Sequence, residues 1–489
     1  EESRALLIAD FCDYAVACTH LSLTEADAVS SAAIIREEAA AMAPKPLILM
    51  GDMNSLPTSA VVDSLKRDFR VVNRMDRPTY PASAPADCID YIMVANSPRL
   101  HVESVSVVND SVSSDHRPLV ADIVIPAAAD ALMWHKPYIQ NVSPDGATVM
   151  FQTRRPARSS VEFGTDTTHL RSSRQLYGGQ EVVHSLEHKV RLDSLEPGTT
   201  CFYRVRAQEI LSNHAYSKSF GNETVTPFYS FTVPETDSED FTAIIFNDLH
   251  NYRPTINAMA AIARGIPHDL VIFNGDCLSE PGSAEDAIEE IHYLADAFDL
   301  AEIPAVFIRG NHEIRNAYSS GMPTLFDRPG ERTYGAFTLG GIRFVTLDCG
   351  EDKPDDTWVY YGLNDFTALR GEQAEFLKAE LRSKDYRKAD RRVLIHHIPV
   401  WGNTDEYRPC TALWAPILTK YGKFDVNIVG HTHEYNHLSP NAVGNPWPVV
   451  VGGGPRRDAA TMMVLEKRGK SLTLRVLNSE DEEIDRLAL

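Results

Sequence analysis

The sequence lacks several features that would place it in a simple class. No stretch approaches the roughly 20 uninterrupted apolar residues that a membrane-spanning helix requires, and runs such as residues 243–246 have the length of buried strands. The seven cysteines are odd in number and widely spaced, and none stands in a CxxC pair. A disulfide framework and a zinc ribbon are therefore excluded.

Positive charge is also scarce. The chain has 47 lysines and arginines against 68 aspartates and glutamates, which gives a net charge of −21. Because a general nucleic-acid binder needs a basic surface to release counterions, this balance disfavours nucleic acid as a partner. We interpret the excess of acidic groups as a solvated surface that keeps the protein soluble.

The 489 residues suffice for about three domains, and their patterns divide into three segments. The first, residues 1–127, closes with a strand-like run before an alanine-rich linker. Residues 133–234 contain short alternating runs between turns, which predict an all-β sandwich. In residues 235–489 short apolar strands alternate with helical patterns, such as those of residues 256–263 and 283–298, and this alternation is typical of a layered α/β fold.

Five strand-like runs of the third segment are each followed by metal-ligand residue types. Residues 243–246 precede Asp248 and His250, 270–273 precede Asp276, 305–308 precede Asn311 and His312, 393–395 precede His396 and His397, and 426–429 precede His431 and His433. Because ligands of α/β sheets bind beyond the carboxyl ends of the strands, we expect these side chains at one edge. Carboxylate, imidazole and amide oxygen suit zinc, manganese and iron. The repeated pattern therefore predicts a metal centre.

The motifs D-x-H, GD, GNHE, HHIP and GHTH at these positions resemble those of the calcineurin-like metallophosphoesterases. The resemblance implies a four-layer α/β sandwich and a metal-dependent phosphoric ester hydrolase. It implies two divalent or trivalent ions, iron, manganese or zinc, whose identity stays open, and a bridging hydroxide that attacks the phosphate ester. The implied ligands are Asp276 as the bridge, Asp248, His250 and His433 in the first site, and Asn311, His431 and one of the two adjacent histidines in the second. His312 would bind phosphate or protonate the leaving oxygen.

The two adjacent histidines compete for one ligand position. Since side chains alternate along a strand, His396 and His397 face opposite ways and cannot easily both bind a metal. The ligand of the superfamily usually stands two residues before a proline, and Pro399 therefore favours His397. The other histidine then has a structural role.

A β-sandwich directly before the phosphoesterase segment resembles the domain order of purple acid phosphatases. Those enzymes carry a metal-bound tyrosine three residues after the bridging aspartate, where this chain has Ser279, and they lack the histidine that is His250 here. The resemblance with these departures implies a site without tyrosinate and without its colour. Within the sandwich, residues 195–205 resemble the fibronectin type III signature, with Cys201 in place of the usual corner tyrosine. We expect a spacer packed against the catalytic domain or, alternatively, a domain whose loop reaches the active site.

The first segment has polar residues after its own strand-like runs at 15–18, 47–50 and 88–89, and Thr24 is expected to cap a helix between the first two. The motifs T-H-L, G-D-x-N, I-D-Y and S-D-H resemble the later part of the endonuclease/exonuclease/phosphatase superfamily. The resemblance implies that Asp52, Asn54 and Asp90 surround the phosphate and a metal, that His20 contacts the phosphate, and that Asp115 and His116 act together as a base. Magnesium would be the cofactor of a complete domain.

The fold of that superfamily has two similar halves, and its metal-binding glutamate lies in the first. The segment therefore reads as the C-terminal half of an α+β domain. We expect it to be inactive as it stands and poorly stable, because half a sandwich exposes core surface.

The resemblance favours a phosphomonoesterase that acts on a small or protein-borne phosphate. Two alternatives stay open. One is a phosphodiesterase or nuclease-type hydrolase acting on cyclic nucleotides, nucleic acid or lipid head groups. The other is a non-catalytic binding protein with a decayed site, against which the intact ligand set argues. No motif encodes the substrate or the oligomeric state. Export to the periplasm or outside the cell would follow from the resemblance, although no signal segment is visible at the start.

Overall fold

The computed structural model describes residues 3–328, 330 and 332–489. The chain forms two compact units. The first contains the described part of residues 1–132 together with Arg154–Arg158 and Ala207–Thr224, and the second contains Met133–Thr153, Ser159–Arg206 and Val225–Leu489. Among the described residues, no helix has both the length and the apolar character needed to cross a membrane.

The first unit contains a five-stranded sheet in the order β1-β2-β3-β5-β4 and a separate hairpin, β6-β7. Its elements are β1 (Leu6–Asp10), β2 (Ala15–His20), α1 (Glu25–Ala41), β3 (Leu47–Asp52), α2 (Ala60–Leu65), β4 (Phe69–Val71), β5 (Asp90–Ala95), β6 (His101–Val107) and β7 (Leu119–Val124). The buried face of the sheet packs against α1 through small and branched side chains, such as Ala17 and Leu49 against Ala32. Thr24 immediately precedes α1, as predicted, but its hydroxyl makes no capping hydrogen bond within the described chain. Its peptide N–H instead donates to Ser22 Oγ at 3.1 Å.

Two larger sheets and the two-stranded hairpin β12-β13 make up the predicted all-β segment. Its strands are β8 (Tyr138–Ser143), β9 (Gly146–Gln152), β10 (Ala157–Gly164), β11 (Arg171–Ser173), β12 (Leu176–Tyr177), β13 (Gln180–Glu181), β14 (Glu187–Asp193), β15 (Thr200–Asn213), β16 (Lys218–Val225) and β17 (Tyr229–Thr232). One sheet has the order β14-β9-β8, and the other β11-β10-β15-β16 with β17 also paired to β15. Residues such as Val149, Val161 and Val205 from both sheets share one core.

The C-terminal part contains two six-stranded sheets. Its elements are β18 (Asp240–Phe246), α3 (Arg253–Ala263), β19 (Leu270–Asn274), α4 (Ala284–Ala297), β20 (Ala305–Ile308), β21 (Gly335–Leu339), β22 (Ile342–Leu347), α5 (Phe366–Glu380), α6 (Lys384–Lys388), β23 (Arg391–His396), α7 (Pro409–Tyr421), β24 (Val426–Val429), β25 (Asn436–Leu438), β26 (Val449–Val451), β27 (Thr461–Arg468), β28 (Ser471–Asn478) and β29 (Glu483–Ala488). The sheet orders are β20-β19-β18-β27-β28-β29 and β21-β22-β23-β24-β26-β25.

These sheets form the inner layers of a helix–sheet–sheet–helix sandwich. Ile245 and Ile272 of the first sheet share a core with Ile395 of the second. The opposite face of the first sheet packs against α3 and α4, and that of the second against α5 and α7. Because strands covered on both sides must be apolar throughout, they appear in the sequence as short uninterrupted hydrophobic runs.

The helix predicted from residue 283 is confirmed. Ser283 is the N-cap of α4, and its side chain accepts a hydrogen bond from the Asp286 peptide N–H. Most residues of the sandwich fall in the same compact unit as the C-terminal segment, whereas Arg154–Arg158 and Ala207–Thr224 belong to the first unit. Buried hydrogen bonds join the sandwich to the C-terminal segment: Tyr203 Oη donates to the Ala301 carbonyl at 2.6 Å, and the imidazole of His292 pairs with Gln152 at 2.6 Å.

Candidate metal centre

The carboxyl ends of parallel strands meet at one edge of each C-terminal sheet. In the first sheet β18, β19 and β20 run parallel, and in the second β22, β23 and β24 run parallel. Every residue predicted as a metal ligand in this part lies on the loop that follows one of these strands. The fold therefore brings together residues such as His250 and His433, which are 183 positions apart in the chain.

The first group of side chains contains Asp248, His250, Asp276 and His433, whose ligand atoms all lie within 4.8 Å of one another. The Nε2 atoms of His250 and His433 are 3.0 Å apart. His433 Nε2 is also 3.4 Å from Asp248 Oδ1. Two imidazoles and two carboxylates converging on one point offer the donor set that borderline metal ions prefer.

The second group contains Asp276, His397 and His431, again within 4.8 Å, and Asn311 joins it. His397 Nε2 lies 3.1 Å from Asp276 Oδ2, and Asn311 Oδ1 lies 3.0 Å from His431 Nδ1. Asp276 belongs to both groups, so its carboxylate can serve two neighbouring cations. The seven expected ligands are thus gathered into two adjoining clusters that share one aspartate.

The two adjacent histidines point to different surroundings. His397 Nδ1 bonds the Asn274 carbonyl at 2.9 Å, which directs Nε2 toward the carboxylates. His396 Nδ1 bonds the Ile398 carbonyl at 2.9 Å, and its ring lies edge-on to Trp414 in the core behind the sheet. A ring held through Nδ1, with Nε2 facing acidic groups, is the usual arrangement of a metal-binding histidine.

The electrostatics of the cluster favour positive charge. Burial acts to lower the pKa of His397, but the carboxylates of Asp276 and Asp248 outweigh it and raise that pKa to about 10. Burial likewise opposes ionisation of Asp276, yet His397 holds the pKa of Asp276 below its usual range. At His250 burial prevails and lowers the pKa to about 4, so this imidazole is neutral near pH 7. A neutral imidazole beside fully buried carboxylates suits a cation.

Five of the expected ligands have backbone conformations that side chains rarely adopt. They are Asp248 (φ 51°), His250 (φ 44°), Asp276 (φ 49°), His431 (φ 76°) and His433 (φ 59°). Non-glycine residues in the left-handed region are uncommon and concentrate at functional sites, where the surrounding structure maintains the strain. The clustering of such residues here marks the centre independently of residue type.

The glycines next to the ligands allow the backbone to approach the carboxylates closely, and only one of them provides a sharp turn. Gly275 has a φ of 79°, as expected for a sharp turn. Gly310 and Gly430 have ordinary φ values, but a Cβ on them would lie 2.3 Å from Asp276 Oδ1 and 2.5 Å from Asp248 Oδ2, respectively. Of these three glycines, only Gly275 has a positive φ. Gly310 and Gly430 are small so that the backbone can contact the carboxylates.

Glu313, the last residue of the GNHE motif, is not among the predicted ligands but lies at the centre of a hydrogen-bond cluster. Its buried carboxylate accepts four peptide N–H groups, those of Asp276, Cys277, Leu278 and Gly310, at 2.8 to 3.0 Å. It therefore joins the loop after β19 to the loop after β20. Burial raises the pKa of Glu313 to about 7.

His312 lies at the partly exposed side of the cluster. Its peptide N–H donates to Asp276 Oδ1 at 2.8 Å, and its ring is edge-on to that of His250, with centroids 4.6 Å apart. Glu280 Oε1 lies 3.0 Å from its Nδ1, and Arg315 Nη1 lies 3.1 Å from its Nε2. The ring is thus held between a carboxylate and a guanidinium beside the two ligand groups. The sequence alone does not reveal these contacts.

The first unit has a separate polar cluster. Asp52, Asp90 and His116 place their ligand atoms within 4.8 Å of one another, and His20 Nε2 lies 3.3 Å from Asp52 Oδ2. Asn54 turns its side chain to the Leu21 carbonyl at 2.9 Å.

Two expectations for this cluster need correction. Asp90 does not follow a strand but begins β5. Because β5 is antiparallel to β3, with Asp90 opposite Asp52, its start lies at the edge where β3 ends. The ring of His116 pairs with Asp90 at 2.9 Å, whereas the carboxylate of the expected partner Asp115 contacts the Ser114 hydroxyl at 3.4 Å.

A four-layer sandwich with two adjoining groups of aspartate and histidine at its strand edge is the structure of a metal-dependent phosphoesterase. Residues 241–435 match the family model of the calcineurin-like phosphoesterases. This part of the chain is therefore similar to that family of hydrolases. Residues 30–116 match the endonuclease/exonuclease/phosphatase family.

Individual relatives are distant. The serine/threonine-protein phosphatase CPPED1 of Bos taurus is 27% identical over 140 residues, which are 27% of this chain and 42% of that protein. The match thus spans about two fifths of the relative's length. The purple acid phosphatase PPD1 from yellow lupin (Lupinus luteus) seeds has 17% identity and a TM-score of 0.57, over 76% of this chain and 77% of that one. A structure of PhoD has 15% identity and a TM-score of 0.50, over 74% and 90%. These two structures are similar to this chain in fold.

Proposed function

We propose that the second unit hydrolyses phosphate monoesters at a centre for two cations. Asp248, His250, Asp276 and His433 would hold one ion, and Asp276, Asn311, His397 and His431 the other. The observation that carries the proposal is the shared position of Asp276, which belongs to both ligand groups. Two bound cations supply Lewis-acid activation of the ester and of the attacking water.

The protein's own groups complete the chemistry. His312 lies beside Asp276 at the exposed side of the cluster, with its Nε2 3.9 Å from Asp276 Oδ2. We assign it the proton that the leaving oxygen takes up, since imidazole is the natural donor near neutral pH. Glu280 Oε1, at 3.0 Å from Nδ1, keeps the ring oriented.

The residues also bear on metal type. Ser279 occupies the position where a tyrosine ligand would stand in a purple acid phosphatase, and its peptide N–H donates to Glu290. His250 lies in the first group instead. Iron, manganese or zinc are the ions this set suits, and we expect no purple colour in the iron-loaded protein.

The preference for monoesters is supported by the proteins to which the chain is similar. The distant relatives named above as phosphatases are a serine/threonine-protein phosphatase and a purple acid phosphatase. The excess of acidic residues, with a net charge of −21, disfavours polyanionic diesters such as nucleic acid. A diesterase is therefore the second candidate, to be separated by experiment.

The test compares 4-nitrophenyl phosphate with bis(4-nitrophenyl) phosphate as substrates of the full chain loaded with each metal. The monoester should be hydrolysed faster. His397→Gln should lower the rate by about 100-fold or more, the scale of changes around metal sites. His312→Ala should lower it by roughly 10² to 10⁴ while metal content stays unchanged.

Three outcomes would contradict the proposal in different ways. Faster diester hydrolysis would favour the diesterase. Unchanged turnover in His312→Ala would remove the assigned proton donor. If Asp52→Asn abolished turnover and His397→Gln did not, the activity would belong to the cluster of the first unit.

A further inference from the structure

A loop with exposed apolar side chains follows β22 at the edge that carries the metal centre. Strand β22 runs parallel to β23, with Leu347 opposite His396, so its carboxyl end lies beside the residue that precedes His397. Residues 349–365, which we name the aromatic loop, therefore start next to the site.

The aromatic loop is tied to the site by an ion-pair chain. Arg315 Nη2 bonds the buried carboxylate of Glu351 at 2.8 Å, and Arg315 Nη1 lies 3.1 Å from Nε2 of His312. Thus only one side chain separates the start of the loop from the proposed proton donor. A leaving group bound at His312 would find this loop as its neighbour.

Both ends of the aromatic loop are held firmly. The buried guanidinium of Arg370 donates to the carbonyls of Cys349 and Glu351 at 2.8 and 2.6 Å. Near the other end, Asp355 accepts the peptide N–H groups of Phe366 and Thr367 at 3.0 and 2.9 Å. The loop therefore presents a fixed surface.

The middle of this fixed loop exposes large apolar groups. Trp358 is 77% exposed, Tyr361 82% and Leu363 87%. Tyr361 has a φ of 51°, a conformation that non-glycine residues seldom adopt. Clustered exposed apolar groups on a well-anchored segment mark a binding surface, whereas scattered ones do not.

The charge of the aromatic loop limits what it can bind. It contains five carboxylates, Glu351, Asp352, Asp355, Asp356 and Asp365, against the single Lys353. A leaving group with further negative charge would be repelled. Tryptophan and tyrosine bind flat rings by stacking or edge contacts.

We propose that the aromatic loop binds the leaving group of a phosphate monoester and selects a flat, uncharged ring. This inference rests on the function proposed above. Trp358 and Tyr361 are its specificity-determining residues.

The experiment measures kcat/KM of the full chain on 2-naphthyl phosphate and on glycerol 2-phosphate. The quantity of interest is the ratio of the two values, because the intrinsic reactivity of each ester cancels when variants are compared. Trp358→Ala with Tyr361→Ala should lower the ratio about tenfold, the size expected for losing two aromatic contacts. The change should appear in KM for the naphthyl ester.

A matched control is available in the hairpin of β12 and β13. The exposed fraction of Tyr177 is 84%, similar to the 82% of Tyr361, and Leu176 is 55% exposed. Leu176→Ala with Tyr177→Ala removes similar surface far along the chain and should leave the ratio as in the wild type. Binding of 2-naphthylphosphonate, measured by calorimetry, should weaken only in the loop variant.

The outcomes separate the two proposals. Turnover of both esters with an unchanged ratio in the loop variant would overturn the aromatic loop as a ring-binding surface and leave the phosphoesterase standing. A wild-type chain that hydrolyses neither ester would overturn both.

Discussion

Glu313 is a buried side chain that joins the two loops carrying the candidate metal ligands Asp276 and Asn311. Its two carboxylate oxygens accept four peptide N–H groups from two loops. One of these groups belongs to Asp276 and another to Gly310, the residue before Asn311. The positions of two expected ligands therefore depend on a residue that is not itself an expected ligand.

Replacing Glu313 should destabilise the second unit strongly. Glu313→Ala leaves four buried peptide groups without their acceptor, each at about 1–3 kcal/mol. We expect a loss of several kcal/mol in the free energy of unfolding, measured by urea titration. Glu375→Ala, on an exposed face of α5, is the matched control and should change that free energy by about 0.5 kcal/mol or less. Equal effects of the two substitutions would contradict the role of Glu313.

At the level of elements, most of the architecture could be predicted from the sequence. The strands β20 and β24 coincide with the apolar runs at 305–308 and 426–429, because strands buried on both faces need uninterrupted apolar residues. Helix α4 could be located from its cap and its periodicity. Such features depend on residues that are neighbours in the chain, so a short stretch of sequence is enough to predict them.

Features that depend on distant parts of the chain could not be predicted. The left-handed backbones of Asp248 and His433 and the contact between Glu280 and His312 arise where separate loops meet. The prediction that Asp90 follows a strand is wrong for the same reason. Asp90 begins β5, and only the antiparallel pairing of β5 with β3 brings this residue to the polar edge. The ligand roles of the seven residues remain predictions until metal is measured.

A buried histidine in the sandwich makes stability depend on pH. His188, on β14, bonds the hydroxyls of Thr153 and Ser159 at 2.9 and 3.1 Å. Burial lowers its pKa from 6.5 to about 4. Between these values the unfolded chain binds a proton that the folded chain does not. The contribution of neutral His188 to the free energy of unfolding is therefore complete above pH 6.5 and is lost progressively as the pH falls toward 4.

We expect His188→Gln to weaken this pH dependence. The drop in unfolding free energy between pH 7.5 and pH 5 should be about 2 kcal/mol smaller in the variant than in the wild type. Each protein is compared with itself at two pH values, so any constant effect of the substitution cancels. An identical drop in both proteins would show that His188 is already protonated when folded.

At the scale of the whole molecule, one chain contains matches to two families of phosphoesterases. The first unit contains the endonuclease/exonuclease/phosphatase match and the cluster around Asp52, Asp90 and His116. The second contains the calcineurin-like match and two ligand groups. The second unit has the larger and more deeply buried set, in which Asp248 and His397 are fully enclosed. We therefore place the proposed chemistry there.

The most direct test is the number of metal ions bound per chain. The full chain is loaded with zinc, manganese or iron, freed of excess metal by gel filtration, and analysed by inductively coupled plasma mass spectrometry. We expect about two ions per wild-type chain, as in other two-metal sites, and fewer than one in Asp276→Asn, because Asp276 belongs to both ligand groups. A wild-type content below one ion, or two ions retained in Asp276→Asn, would contradict the dinuclear centre.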